Sequence, residues 1–495
     1  MNKKASAEIT VFFSLIIVMI LTLLFTLLES ARSEGLRLKA QMCANSCIES
    51  VFASYDRYLW EDYGLLLFCD RYGGANEARE IALDYAKKNS GNNLIGNNFL
   101  SFNADDVLME NYVLATDDNG KVFRNAVCNY MKRVGIAEEI IDGAVGDDFK
   151  KAFEEDIFDE DGEIDFSKIT KKIESAEDEK KNAEEKNDEA EDPLENNNAN
   201  KEEATRTYKN LLSRFSDFKK RGFLSLVIGD AGKISESQYD LGDAPSKMSG
   251  YEKARSVADC SDDGIVSDVL FSEYLMKEFD CYLDDDYESL QIEYLISGKD
   301  SDLANLYSVA NKLVAIRTGL NLVFMFTSSR CQADAKVIAT AMVGWLLIPG
   351  LVETVETIIL IIWAIAESVV DVKTLLAGGK VPLIKSDGDL QISLSSAASG
   401  GSGGSGSSSG LKYEDYLRGL LYLGDSEDIS YRAMDIIQMH IRKMEPAFYM
   451  KNCIYAANIN LNVTASSLFP FLPKRIDYKY SVGAAYSYGS VEKFY

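Results

Sequence analysis

The residues of this chain that could do chemistry are mostly carboxylates. Four of them, Glu353, Glu356, Glu367 and Asp371, lie on one apolar stretch, Leu351–Leu376. At 100° per residue a helix brings the four within about 60° of one another. Paired carboxylates are the groups that general acid–base hydrolysis uses. No nucleophile elbow, phosphate loop or zinc motif accompanies them. A single histidine, His440, serves the whole chain, which removes a multi-histidine metal site and argues against a Ser-His-Asp triad. His440 sits among apolar helical neighbours and reads as exposed or hydrogen-bonded. Asp159–Asp165 looks like the centre of an EF-hand loop with Gly162 at position six. Positions one and twelve then fall on Ile157 and Lys168, where calcium needs oxygen ligands, so a solvated acidic turn is expected. The run Asp284–Asp286 reads as a solvated loop, with a cation site as the alternative. We therefore assign no catalytic, cofactor-binding or metal-ligating residue and expect no cofactor.

Eight cysteines are scattered without a CxxC motif. Cys43 and Cys47 stand one helical turn apart, a poor geometry for a mutual disulfide. Mostly free, buried thiols are expected. Pairs among Cys69, Cys128, Cys260, Cys281, Cys331 and Cys453 stay open for an oxidising compartment. The formal net charge of -26 argues against nucleic acid and anionic membrane surfaces as partners.

The element that must position all this is at the start. Ile9–Leu28 is twenty uncharged, mostly apolar residues, roughly 30 Å of helix and one bilayer core. A cleaved secretion signal and a buried core helix are the competing readings; the length and Glu29 favour an anchor. Lys3 and Lys4 face Arg32, Arg37 and Lys39 across the span, so basic residues do not set orientation. The short leading segment and large acidic remainder favour N-inside, C-outside. Leu36, Ala40, Cys43, Cys47, Val51, Tyr55 and Leu59 then recur at three or four, one apolar stripe of a continuing helix. The expected plan is a single rod, half in lipid and half offered to an outer domain.

That outer part reads as α+β. Ala75–Lys88 is expected helical, Val107–Thr116 a strand, and Asp117-Asp118-Asn119-Gly120 a turn. Helical spacing returns from Val122 to Met131. Residues 151–203 read as a charged mobile insertion, with Lys168–Lys186 a solvated helix held by Glu–Lys pairs of about 0.2–0.5 kcal/mol each. Helices are expected over Thr205–Phe223, within Asp259–Leu283, and after a cap at Ser301 or Asp302. Glu293–Ser297 reads as a short buried strand. Val337–Ile348 and Leu351–Leu376 form an apolar hairpin with one wet face, a second membrane contact being the alternative. Val381–Leu394 reads as two short strands around Asp387-Gly388. Gly400–Gly410 is a flexible linker reaching roughly 15–20 Å. Tyr413–Leu423 and Ile429–Lys443 read as helices, and Lys451–Thr464 and Arg475–Tyr488 as strands that rejoin the main sheet. The expected segments are therefore a cytoplasmic tail (1–8), a transmembrane helix (9–28), a stalk and first part of an ectodomain (29–150), the insertion (151–203), a helical core (204–396) containing the hairpin 337–376, the linker (397–410) and a C-terminal segment (411–495).

Several stretches carry a family likeness: AEITVFFSLIIVMILTLLFTLLESAR at the start, SYDRYLWEDYGLL (Ser54–Leu66), FRNAVCNYMKRVG (Phe123–Gly135), EYLISGKDSDLANLYSVANKLVAIRTGLN (Glu293–Asn321) and LLAGGKVPLIKSDGD (Leu375–Asp389). With these the chain resembles an uncharacterised family of Gram-positive envelope proteins, itself similar to pseudopilin-type components of tight-adherence (Tad, Flp-type) pilus systems. The resemblance implies a pilin-like plan, an extracellular domain, and other pilus or secretion envelope proteins as partners, with membrane lipid met through Ile9–Leu28. One departure is plain. Glu8 precedes the apolar run and no acid lies inside it, which puts prepilin processing in doubt and favours a membrane-held accessory or minor subunit. A surface carboxylate-dependent hydrolase is the alternative class.

Overall fold

The computed structural model describes residues 2–91, 99–135, 164–186, 198–223, 227, 238–239, 241–255, 264–283, 289–400, 410–467 and 477–489. In chain order its elements begin with α1 (Asn2–Ala53), α2 (Arg57–Tyr63), β1 (Phe68–Cys69), α3 (Asn76–Ser90), β2 (Asn103–Leu114) and α4 (Lys121–Val134). Next come α5 (Phe166–Lys186), α6 (Asn198–Arg221), the single turn α7 (Gly250–Lys253), α8 (Ile265–Glu278), α9 (Gln291–Ser297) and α10 (Asp302–Thr327). Then follow α11 (Ser329–Val343), α12 (Leu351–Leu376), α13 (Leu394–Ser399), α14 (Tyr413–Leu423), α15 (Ser426–Met444), β3 (Cys453–Ser466) and β4 (Asp477–Ser487). The chain is thus mixed helix and sheet. It divides into two compact units, one of residues 1–136, 242–271 and 433–495, the other of residues 137–241 and 272–432.

The first unit is built on one antiparallel sheet. β3 is its centre, pairing with β2 over most of its length and with β1 and β4 over successive stretches. Alternation along β3 turns Ile459, Leu461, Val463 and Ala465 inward, as a one-faced strand requires. They meet the stripe of α1: Leu36, Ala40, Cys43, Cys47 and Val51 are all buried in this core. Ala78, Ala82 and Ala86 of α3, fully buried at i, i+4 spacing, let that helix lie close beside α1. The expected stripe runs two members too far. α1 stops at Ala53, because Asp56 takes extended backbone angles and accepts the Leu59 amide, starting α2 afresh. Tyr55 is exposed, and Leu59 is buried on α2.

The turn at Asp117–Gly120 forms with left-handed backbone at Asp118, Asn119 and Gly120. Arg255 grips the buried Asp117 carboxylate with both Nε (2.8 Å) and Nη2 (2.7 Å). Cys69 and Cys453, register partners of β1 and β3, are joined by a disulfide across 384 residues of sequence. Cys43 and Cys47 are buried with their sulfurs 4.0 Å apart, and Cys128, Cys281 and Cys331 are also buried. Cys260 lies outside the described residues.

The second unit is helical. α12 packs against α10, α11, α5, α6 and α13. It is buried on every side over Ile358–Val369, as a helix apolar all round must be. The expected wet face is therefore a correction: Glu353 is exposed and Glu356 half-buried, but Glu367 and Asp371 are wholly buried. Two strand expectations also fail here. Glu293–Ser297 lies in helix α9, closed by Gly298 in the left-handed conformation; a short buried apolar run does not reveal its period. Val381–Leu394 holds one bridge, Val381 to Leu411, and no strand. The amides of Gln391 and Ile392 turn inward to a carboxylate instead of into a ladder. The charged insertion is helical where described, in α5 and the start of α6. Most of the EF-hand-like motif, Asp284–Asp286 and residues 401–409 of the linker lie outside the described residues. The expected C-terminal segment is divided, residues 433–495 belonging to the first unit and 411–432 to the second.

Candidate functional site

Ile9–Leu28 is one face of the site question. Nearly every side chain in it is exposed, Met19 at 74% and Leu15 at 63%. The helix is long and apolar enough to cross a membrane, and no residue of its most apolar window is buried. Thr22 and Thr26 return their hydroxyls to backbone carbonyls one turn back, so their polarity is consumed within the helix. Just beyond the apolar run the chemistry changes. Arg32 is buried, donating from Nη1 to Glu29 (3.1 Å) and from Nε to the Phe99 carbonyl (2.7 Å). Ser33 Oγ and Tyr480 Oη are 2.8 Å apart, and Lys39 donates to the carbonyls of Ser90 and Leu100. The exposed apolar rod thus begins where the domain's own polar contacts end.

In the second unit, two of the four sequence-flagged carboxylates meet two cations that sequence reasoning passed over. Arg317 of α10 donates from Nε to Asp371 (3.1 Å), from Nη2 to Asn321 (3.1 Å), and from Nη1 to the carbonyls of Pro382 and Leu383 and to Tyr416 Oη. Lys385 donates to Glu367 and, at 2.6 Å, to Asp371. Gln391 and Ile392 add backbone amides to Glu367, and the Gln391 side chain reaches Asp371 (2.9 Å). Two acids face two bases, all essentially without solvent contact. Burial pushes Glu367 up, the Asp371 charge adding to it and Lys385 opposing it. Burial alone would also raise Asp371, but Arg317 and Lys385 together hold it below its ordinary value. The arrangement is neutral and closed, with no open face for a substrate. Glu353 and Glu356 are not part of it. Arg317 was legible as a lone guanidinium in an otherwise apolar helical run; Lys385 carried no signal.

A second buried acid pair lies elsewhere in this unit. Glu293 Oε1 accepts from Tyr413 Oη (2.7 Å) and the Tyr282 amide (3.0 Å), while Oε2 is buried without a partner. Burial, the largest influence, pushes its carboxyl up to about 7 against those two hydrogen bonds. Asp302 accepts from Tyr239 Oη (2.8 Å) and the Leu290 amide (3.0 Å), its other oxygen also being unpartnered.

The first unit holds a cleft of about 330 Å³ lined by the link between α1 and α2, the start of α2, β1, the start of α3 and the segment after α15. Asp56, Arg71, Glu77, Glu445, Tyr55 and Tyr449 are among its walls. Arg71 Nε stands 3.3 Å from Glu445 and 4.0 Å from Glu77. His440 lies outside this cleft, with Nδ1 2.9 Å from Tyr63 Oη. Among the described residues no group of three or more His, Cys, Asp or Glu side chains could hold a metal ion.

Compared with known proteins, the chain matches the model of a family of unknown function (DUF5702) over residues 201–465. No curated protein and no solved structure matches it.

Proposed function

The chain belongs to this family of unknown function, DUF5702, and we propose that it is a single-pass, membrane-anchored structural or accessory subunit of a tight-adherence-type pilus or secretion apparatus. In this reading it acts by protein–protein contact rather than catalysis, with its N-terminus cytoplasmic and its C-terminal part extracellular. The observation that carries the reading is α1 itself. One helix of 52 residues, about 78 Å long, leaves Ile9–Leu28 bare and buries its later stripe in a sheet-and-helix core. Sixteen apolar side chains left in water would cost far more than a marginally stable domain holds in reserve, so lipid is their natural solvent. Backbone groups in lipid must be satisfied within the helix, which an unbroken α1 achieves.

The Cys69–Cys453 disulfide supports an oxidising, extracytoplasmic location for the first unit. The closed Arg317–Asp371–Lys385–Glu367 network favours scaffold over catalysis, because its acids are neutralised and unreachable. The pilus assignment itself rests on the sequence resemblance.

The test is fractionation of cells carrying the native chain, with N-terminal sequencing, protease shaving of intact cells and non-reducing peptide mapping. The expected result is a membrane-retained chain that resists alkaline extraction, loses its domain to external protease and yields a Cys69–Cys453 cross-linked peptide. It should also cross-link to pilus or secretion proteins in sheared surface fractions. A soluble chain beginning near Glu34 overturns the anchor, and protection from external protease overturns the orientation. Absence from sheared assemblies overturns the pilus role.

A further inference from the structure

The cleft in the first unit has a charge pattern that the anchoring role does not require. Asp56, Glu77 and Glu445 line it with one cation, Arg71, between two of them; Asp56 also accepts the Leu59 amide and Glu77 the Arg71 amide. A fourth wall acid, Asp70, is already engaged: it is buried and accepts the amides of Tyr72, Glu77 and Ala78 at the start of α3. Arg57 also borders the cleft but pairs with Glu61 at 2.7 Å. Arg442 and Lys451 stand over the Tyr449 ring at 4.9 and 5.5 Å without lining the cavity. The cleft is therefore short of positive charge.

The Asp56 carboxyl is raised first by burial and further by the Glu445 charge, and the amides of Leu59 and Tyr58 and the Arg71 charge offset this only in part. The walls beside these acids are aromatic, with Tyr55, Tyr58, Phe448 and Tyr449 among them. Carboxylates and aromatic rings in one cleft suit an organic cation, which can gain charge-assisted hydrogen bonds and a cation–π contact together. Arg71, held between Glu445 and Glu77, shows that the rim accepts guanidinium geometry. The volume is at the small end for ligand sites, the scale of one long side chain rather than a cofactor.

We propose that this cleft binds a single cationic side chain, an arginine or lysine, presented by a partner polypeptide. The incoming cation would lie between Asp56 and Glu445 and relieve their repulsion, with its stem along the tyrosine wall. The rigid floor, Cys69 locked to Cys453, keeps the walls in place before binding. No residue of Ile9–Leu28 lines the cleft.

The test uses the full chain in detergent, titrated at low ionic strength with N-acetyl-argininamide, N-acetyl-lysinamide and the neutral isostere N-acetyl-citrullinamide. Calorimetry gives the affinity. Trp60, whose ring lies 6.3 Å from that of the cleft residue Tyr55, gives a fluorescence signal. Saturable binding of one or both cations, with none for citrullinamide, is the expected result. Glu445→Gln should weaken it about tenfold or more. Asp56→Asn, which keeps a capping side chain for α2, should do the same, and thermal melting of each variant confirms folding. Equal binding of citrullinamide overturns the proposal, as do folded variants with unchanged affinity and a titration that never saturates. Liposome flotation of the same samples reports anchoring separately, so loss of cleft binding with intact flotation counts against the cleft alone.

Discussion

Ile9–Leu28 and the α10–α12 pair put the same kind of side chain to opposite uses. α1 and α10 are both long and apolar enough to cross a membrane, yet the apolar window of α1 has no buried residue and that of α10 is mostly buried. α12 is buried still more completely. The difference lies in the polar residues each stretch carries. Ile9–Leu28 has no charge to satisfy. α10 and α12 carry Arg317, Asn321, Glu367 and Asp371, and each finds its partner inside the protein. Apolar length states that a helix must leave water; its embedded charges state whether lipid or protein replaces it, because an ion in hydrocarbon has few partners.

The comparison breaks at α1 first. Val18→Arg at mid-span carries an insertion cost of about 3 kcal/mol, so most of the chain should move from the membrane to the soluble or aggregated fraction on alkaline extraction. Unchanged retention would mean that Ile9–Leu28 is not the anchor.

The opposite change belongs to α10. Arg317→Met leaves Asp371 with Lys385 and the Asn321 and Gln391 side-chain amides, and takes one donor each from Tyr416, Asn321 and two carbonyls. Denaturant unfolding should show a loss of about 3–5 kcal/mol. Membrane retention should be unaffected. A loss under 1 kcal/mol would show that the network contributes little to the fold. Substituting Glu367 and Lys385 together by Leu and Met should cost far less than either alone, since no unpaired ion is left behind.

A smaller and graded effect comes from Glu293. Its folded carboxyl is raised to about 7 and its unfolded one lies near the ordinary value, so the folded state holds the proton more tightly. Its contribution is intact in acid and falls as pH rises from about 4.5 towards 7, levelling above that, by about 3 kcal/mol in all. Glu293→Gln should flatten stability over that window. A wild-type profile already flat there would show that Glu293 is not held in its neutral form.

Much of the secondary structure was legible because period and punctuation agreed. The stripe of α1, the alternation of β3, the Asp-Asp-Asn-Gly turn and the Ser301 cap each have a local cause. Glu293–Ser297 and Val381–Leu394 were misread because their local signals were short. One was decided by burial on all sides, the other by inward amides serving Glu367. The acid spacing on α12 was visible, but its meaning depended on Arg317 and Lys385, 54 and 18 residues from their partners. The cleft was not legible at all, since Asp56 and Glu445 are brought together only by the fold.

By itself the sequence determined that one helix is too apolar for water, that the chain is strongly acidic, and that no histidine or metal motif organises it. These follow from composition and spacing along a single element, where neighbours in sequence are neighbours in space. Tertiary structure alone decided which cysteines pair, which carboxylates are neutralised and which remain short of a cation. Those outcomes depend on charges and sulfurs from distant segments meeting within a few ångströms, and no local propensity encodes such a meeting.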